Sequence, residues 1–319
     1  MRKTLHLCAV SIAIAFSLIC CSSPGSGTTT ATTTTVYAGG INSSGAAGYW
    51  HGPAGNSNLT WVSYTSGGAI INSIVISGTT VYAGGRNESG AAGYWYASVG
   101  SSNPTWITCD NGLGASVSSI AVTGTTVCAG GVNSSGAVGY WYGTVGSSNP
   151  TWVACASGGV CSGGAIAISG TTIYLGGVNA SGALGYWYGT VGGSNPSWAT
   201  CEGVMVVGIA RGFVSSITIS GSTVYMGGYK LNWGIGYWYG PAGGGANWVP
   251  CGSNGGVSSI VISGATVYAS GGTAGYAAGY WYGPAGSPTW VPFEGSSSGS
   301  ISSIATLGTT VYVGGVCIA

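Results

Sequence analysis

One recurring cassette constrains this chain more than any other feature. Its clearest copy, between Ser73 and Cys109, runs through four short pieces. They read Ser-Ile-Val-Ile-Ser-Gly, Thr-Thr-Val-Tyr-Ala-Gly-Gly, Gly-Tyr-Trp-Tyr and Pro-Thr-Trp-Ile-Thr-Cys. The Val-Tyr piece starts at Val36, Val81, Val127, Ile173, Val224, Val267 and Val311, at intervals of 43 to 51 residues. The Gly-Tyr-Trp piece starts at Gly48, Gly93, Gly139, Gly185, Gly236 and Gly279. The last piece centres on Trp61, Trp106, Trp152, Trp198, Trp248 and Trp290, and the Ile piece on Ile74, Ile120, Ile166, Ile217, Ile260 and Ile304.

Each piece is rich in β-branched and aromatic residues, which fit a pleated and partly buried surface. Each is bounded by Gly, Asn, Ser or Pro, which supply turns. The repeat therefore predicts four short antiparallel strands per copy and an all-β chain. A period of ~40–50 residues with four strands is the mark of a β-propeller blade, and a linear β-solenoid is the rival. In the runs Asn87-Glu88-Ser89-Gly90, Asn133 to Gly136 and Asn179 to Gly182, Asn and Gly are read as residues that tolerate left-handed backbone angles. The proline of Ser102-Asn103-Pro104 is read as the start of the outermost strand.

Glycine makes up 64 of the 319 residues, as wedge-shaped blades crowded near an axis require. The Ser-Ser-Ile piece, with Ser118-Ser119 and Ser258-Ser259, is expected to be the innermost strand. Trp95, Trp141, Trp187, Trp238 and Trp281 are expected to fill the wedge further out, and alternation places Tyr94 and Tyr96 on the face opposite Trp95. The count of elements favours six blades. In that arrangement Ser303-Ile304-Ala305 supplies the inner strand missing from the first blade. The alternative is a seventh, incomplete blade.

These motifs resemble those of a group of bacterial surface lipoproteins and secreted proteins built from Ser-Ile-x-Val-Ser-Gly, Val-Tyr-Val-Ala-Gly and Tyr-Trp repeats. The resemblance runs from Val36 to the C-terminus. It implies a β-propeller and is silent on activity. This chain departs from the pattern in its scarcity of charge and in the Thr-Trp-Val-x-Cys form of its outer strand.

Residues 1–20 read as a lipoprotein signal peptide, with Arg2 and Lys3 ahead of an uncharged apolar run. Leu18-Ile19-Cys20-Cys21 resembles a lipobox with Cys21 as the acylated residue, which implies export and anchoring at a bacterial cell envelope. Residues 21–33 read as a flexible Ser/Gly/Thr tether, and residues 34–319 as one propeller domain. After removal of the leader, the only bases are Arg86, Arg211 and Lys230, and the only acids are Glu88, Asp110, Glu202 and Glu294. Three bases are too few to track phosphates, so nucleic acid is disfavoured as a partner.

Cys109, Cys155, Cys201 and Cys251 recur at one position of successive copies, where Tyr64 and Phe293 stand in the first and last. A position that accepts Cys, Tyr or Phe is a buried apolar position. Cys155 and Cys161 are close enough in sequence to close a small loop in an oxidising compartment, or to stay as thiols. His51 is the only histidine beyond the leader, and a catalytic set would require it to meet Asp110 across the fold. Glu202 and Glu294 are the one carboxylate pair considered. No metal-ligand spacing, phosphate loop or cofactor motif is present in the sequence. The expectation is a non-enzymatic, surface-exposed lipoprotein whose propeller is an interaction or structural module. The alternative is a multivalent carbohydrate-binding propeller using its repeated tyrosines.

Overall fold

The computed structural model describes residues 13–14, 35–42, 44–53, 59–65, 67–156, 162–201, 212–230, 234–252, 255–272, 278–292, 298–307 and 310–318. Every regular element among them is a β-strand. The strands form six four-stranded antiparallel sheets and one two-stranded sheet. In the second blade the inner strand is Ile70–Ser77, followed outward by Thr80–Arg86, Ala92–Ser98 and Thr105–Asp110. The other complete blades repeat this order within 13–63, 116–156, 162–200, 212–252 and 256–292. The inner strands of successive blades pack side by side around a common axis. The chain is therefore a β-propeller with six four-stranded blades, as the repeat period predicts.

One cross-strand register recurs from blade to blade. Tyr82 lies opposite Tyr96, Ala83 opposite Trp95 and Gly84 opposite Tyr94. Trp95 in turn lies opposite Trp106 on the outermost strand. All six blades carry this cross-strand tryptophan pair, with ring centroids 4.2–4.4 Å apart and planes inclined by 49–57°. Such a pair contributes roughly 0.5–1.5 kcal/mol beyond its buried area. The outer indole lies against the glycine of Gly-Tyr-Trp. A Cβ at Gly93 would come within 2.1 Å of the Ile107 carbonyl oxygen and 2.7 Å of the Trp106 ring. The cassette glycine is thus set by close approach, not by chain flexibility.

Two expectations are corrected. The first concerns ring closure. Ser298–Leu307, which contains Ser303, Ile304 and Ala305, does not join the first blade. It pairs with Thr310–Ile318 in a sheet of its own, following the sixth blade. Ile304 sits opposite Val313 as Ile74 sits opposite Ala83, so the terminal hairpin keeps the local register of every other copy. The inner position of the first blade is taken by Ala13–Ile14, paired with Gly39 and Ala38. The second concerns the Asn-x-Ser-Gly turns. The left-handed angle belongs to glycine, with φ of +81° at Gly90. Asn87 contributes its side chain: Oδ1 accepts from the Ser89 amide, the Ser89 hydroxyl and the Ala91 amide. Asn42, Asn133 and Asn179 cap their loops in the same way.

The glycine contact gives a direct test. Gly93→Ala is expected to cost about 1–3 kcal/mol in a denaturant titration, because neither the carbonyl nor the packed indole has room to move. Gly256→Ala, with no atom within 4 Å of the added carbon, should stay within about 0.5 kcal/mol of the parent.

Candidate functional site

Three regions gather the side chains that the sequence singles out: the axial channel, the junctions between blades, and the loop ends. The channel encloses about 240 Å³ and is lined by Ser73, Ser118, Ser119, Ser216, Ser258, Ser259 and their equivalents. Adjacent residues of a regular strand point to opposite faces, yet both members of each Ser-Ser pair reach the axis. A β-bulge is the reason. The pairing of inner with second strand skips one residue in blades two to six and in the terminal sheet, for instance Asn72 between Ile71 and Ser73.

The bulged side chains bridge blades. Asn72 Nδ2 donates to the Val117 carbonyl at 2.7 Å, and Ser73 Oγ accepts from the Ile120 amide at 3.2 Å. Ser215 Oγ donates to the Val257 carbonyl, and Ser216 Oγ accepts from the Ile260 amide. Crowding at the axis accounts for the small size of these serines but not for their partners. The one-residue bulge that gives them partners had no signal in a single copy, although the doubled serine recurs.

At the junctions, the first tyrosine of the Gly-Tyr-Trp piece is buried in blades one to five and reaches into the next blade. Tyr49 accepts a hydrogen bond from the Gly100 amide, Tyr140 from Gly192, Tyr186 from Gly243 and Tyr237 from Gly286. Tyr186 also donates to the Gly244 carbonyl at 3.1 Å. The second tyrosine covers the same turn: the Tyr188 ring lies 3.2 Å from the position a Cβ would take on Gly243, whose φ is +78°. In the fifth blade the second tyrosine, Tyr239, stacks inward on the Val-Tyr ring of Tyr225 at 6.1 Å and 14°. The tryptophans face the preceding blade; Trp95 packs with Ala47 and Tyr64. The expected alternation of tyrosine and tryptophan faces is present.

His51 occupies the second-tyrosine position of the first blade. It stacks on Tyr37 at 6.1 Å and 14° and tilts against Tyr49. Asp110 lies at the opposite loop end of another blade. Burial works against its charge, but hydrogen bonds from the Ser134 amide, the Gly112 amide and the Ser134 hydroxyl hold its carboxyl below its usual value. The pairing of His51 with Asp110 considered from sequence is therefore not assembled. Arg86 at the same end donates to the Ala115 and Gly114 carbonyls. Lys230 is buried, with Nζ 5.5 Å from the Trp248 ring centre. No group of three His, Cys, Asp or Glu with metal-binding geometry occurs among the described residues. Cys21, Cys161, Glu202, Glu294 and Arg211 lie outside the described residues.

The repeated thiols sit between blades. Cys109 packs beside Tyr82 and Tyr94, and Cys201 lies 3.9 Å from the Met226 sulfur. Burial pushes the thiols of Cys109, Cys128, Cys155, Cys201 and Cys251 up to about 12. At neutral pH they are protonated and poorly nucleophilic.

No protein-family model matches this chain, and no curated protein matches it in sequence. Solved structures match it in shape. YCF48 from Cyanidioschyzon merolae is 14% identical, with a TM-score of 0.61 over 99% of this chain and 96% of that one. The WD40 β-propeller domain of Doa1 is 11% identical, with a TM-score of 0.59 over 87% of this chain and 85% of that one. A chain of the mitotic checkpoint complex is 14% identical, with a TM-score of 0.61 over 92% and 79%. At these identities the likeness is one of fold.

The thiol environments predict two measurements. In the native protein, Cys109, Cys128, Cys201 and Cys251 should resist alkylation at pH 7–8 and react fully after denaturation, as thiol counting will show. Their raised values also fix a sign. The unfolded chain loses these protons first, so their contribution is complete below about pH 9 and fades as pH rises toward about 12. Melting temperatures should fall through that window, and a Cys109→Ala variant should fall less steeply.

Proposed function

We propose that this chain is a non-enzymatic, lipid-anchored β-propeller displayed at a bacterial cell envelope, where the ring acts as an interaction module. One observation carries the reading. The recurring tyrosines, tryptophans, cysteines and serines join blade to blade, so what the ring offers outward is a rigid frame with very little charge. His51 sits in a packing position and Asp110 ties down a loop, which supports a role other than catalysis. The scarcity of bases argues for a protein partner over a nucleic acid.

The anchor is assigned to Cys21 on the strength of Leu18-Ile19-Cys20-Cys21, and a single acylated residue bearing several chains would hold the ring at a membrane surface. Cleavage before Cys21 would also remove Ala13–Ile14, the inner strand of the first blade in the unprocessed chain, and leave that blade three-stranded. Labelling with a radioactive fatty acid tests this directly. The parent should incorporate label and sediment with membranes. Cys21→Ala should do neither, and unchanged labelling of that variant would remove the lipoprotein reading. Cross-linking on intact cells should then recover a protein partner bound to the ring.

A carbohydrate-binding role is the second reading. It is favoured by Tyr96, Tyr142, Tyr188, Tyr239 and Tyr282, which are half-buried or exposed at one loop end of their blades. Edges of such rings, beside serine and threonine hydroxyls, suit neutral sugars, and repetition would add avidity. Absence of binding on a glycan array at high protein density would eliminate it.

A further inference from the structure

The axial channel is not the same on every side. The bulged residue of each inner strand and the residue after it form a pair at the axis. In the second, third, fifth and sixth blades and in the terminal sheet, both members are polar, as in Ser118-Ser119 and Ser258-Ser259. In the fourth blade the pair is Gly164-Ala165, which has no hydroxyl. Phe213 of the adjoining fifth blade lines the channel at this end and is 39% exposed. It stands two residues before the bulge, where the other copies have Ile70, Ser116, Ser162, Gly256 and Ser300. No junction between blades calls for an aromatic ring there.

The polar side chains are set for hydrogen bonding across the channel. Ser73 and Ser216 accept from the Ile120 and Ile260 amides at 3.2 Å, so each keeps its O–H proton to donate. Asn72 spends Nδ2 on the Val117 carbonyl and keeps Oδ1 as an acceptor. None of the lining residues carries a charge, and all of them lie between residues 72 and 303, so none is removed with residues 1–20. The channel thus combines a hydroxyl-rich wall, a wall with no polar side chain and a single phenyl ring.

We propose that this end of the axial channel binds one small, neutral, polyhydroxylated ring, a monosaccharide or a cyclic polyol of that size. Its apolar face would lie on Phe213 and its hydroxyl edge on the serines. Convergent polar groups around one aromatic wall are what such a ligand needs for orientation and affinity. A charged molecule would lose its hydration here without gaining a counter-ion. The volume of about 240 Å³ falls below the ~300–1,000 Å³ of pockets for drug-sized ligands, which limits the occupant to a single ring. Gly164-Ala165 leaves space for that ring beside Phe213. The second tyrosines lie at the other end of the blades, beside turns such as that of Gly243. The channel site therefore stands apart from them and does not rest on the interaction-module reading.

The test uses the full chain in a detergent without a sugar headgroup. Calorimetry and saturation-transfer NMR are run with methyl glucopyranoside, methyl galactopyranoside, N-acetylglucosamine and myo-inositol, and with glucuronate as the charged comparison. At least one neutral probe should bind saturably at one site per chain, and glucuronate should not. Phe213→Ala should weaken that binding at least about tenfold, and Phe213→Tyr should keep it. Ser119→Ala combined with Ser259→Ala should weaken it about tenfold. Leu113→Ala, which truncates a side chain 94% exposed on the loop before the third blade, should leave it unchanged. Near-ultraviolet circular dichroism checks that each variant is folded, and the serine pair serves if Phe213→Ala is not. No saturable binding by any neutral probe overturns the proposal. So does glucuronate binding as tight as that of the neutral sugars, or equal binding by the parent and both channel variants. Several sugars per chain, lost in Tyr188→Ala but kept in Phe213→Ala, would also overturn it and leave the carbohydrate-binding reading to the loop-end tyrosines.

Discussion

Each blade depends on its neighbour. A four-stranded repeat with two apolar faces cannot bury them alone, and stacking on its neighbours supplies the core. One face, carrying the Gly-Tyr-Trp-Tyr phenols and the Val or Ile of the outer strand, closes against the Ile and Val side chains of the next inner strands. The other, carrying the tryptophan pair, closes against the blade before. A phenol bonded to a turn glycine marks the rim side of this contact, and bulged serines and asparagine mark the axial side. Those polar links fix the rotation of one blade on the next, because a buried phenol or hydroxyl without its partner would cost roughly 1–3 kcal/mol.

That dependence explains why the distinctive residues say so little about chemistry. The cysteines recur because the junction needs an apolar group beside the tyrosine, a place that Tyr64 fills in the first blade, and burial keeps them protonated. His51 stands where other blades have tyrosine and stacks as tyrosine does. Asp110 and Arg86, two of the few charged groups, spend their hydrogen-bonding capacity on loop backbone. A ring built this way is a frame.

Much of the fold was legible because the copies could be compared. Six Gly-Tyr-Trp pieces at nearly regular spacing set the strand order and the faces of Trp95 and Tyr94 without coordinates. Substitution of Cys by Tyr64 or Phe293 at one position identified that position as packing. The bulge at Asn72 and Ser118 was not legible: it shifts pairing by one residue, and a doubled serine is equally compatible with simple crowding. Nor was the side-chain cap of Asn87, since asparagine also tolerates the left-handed angle that Gly90 takes.

The sequence by itself determined a repeated four-stranded unit, its glycine spacing and its lack of charge, because hydrophobic period and turn chemistry are local properties. The tertiary structure decided how the ring ends. Whether Ile304 completes the first blade or pairs within its own hairpin depends on competition between distant strand edges, which no local pattern encodes. The structure chose the local hairpin, in which Ile304 lies opposite Val313 of the adjacent strand.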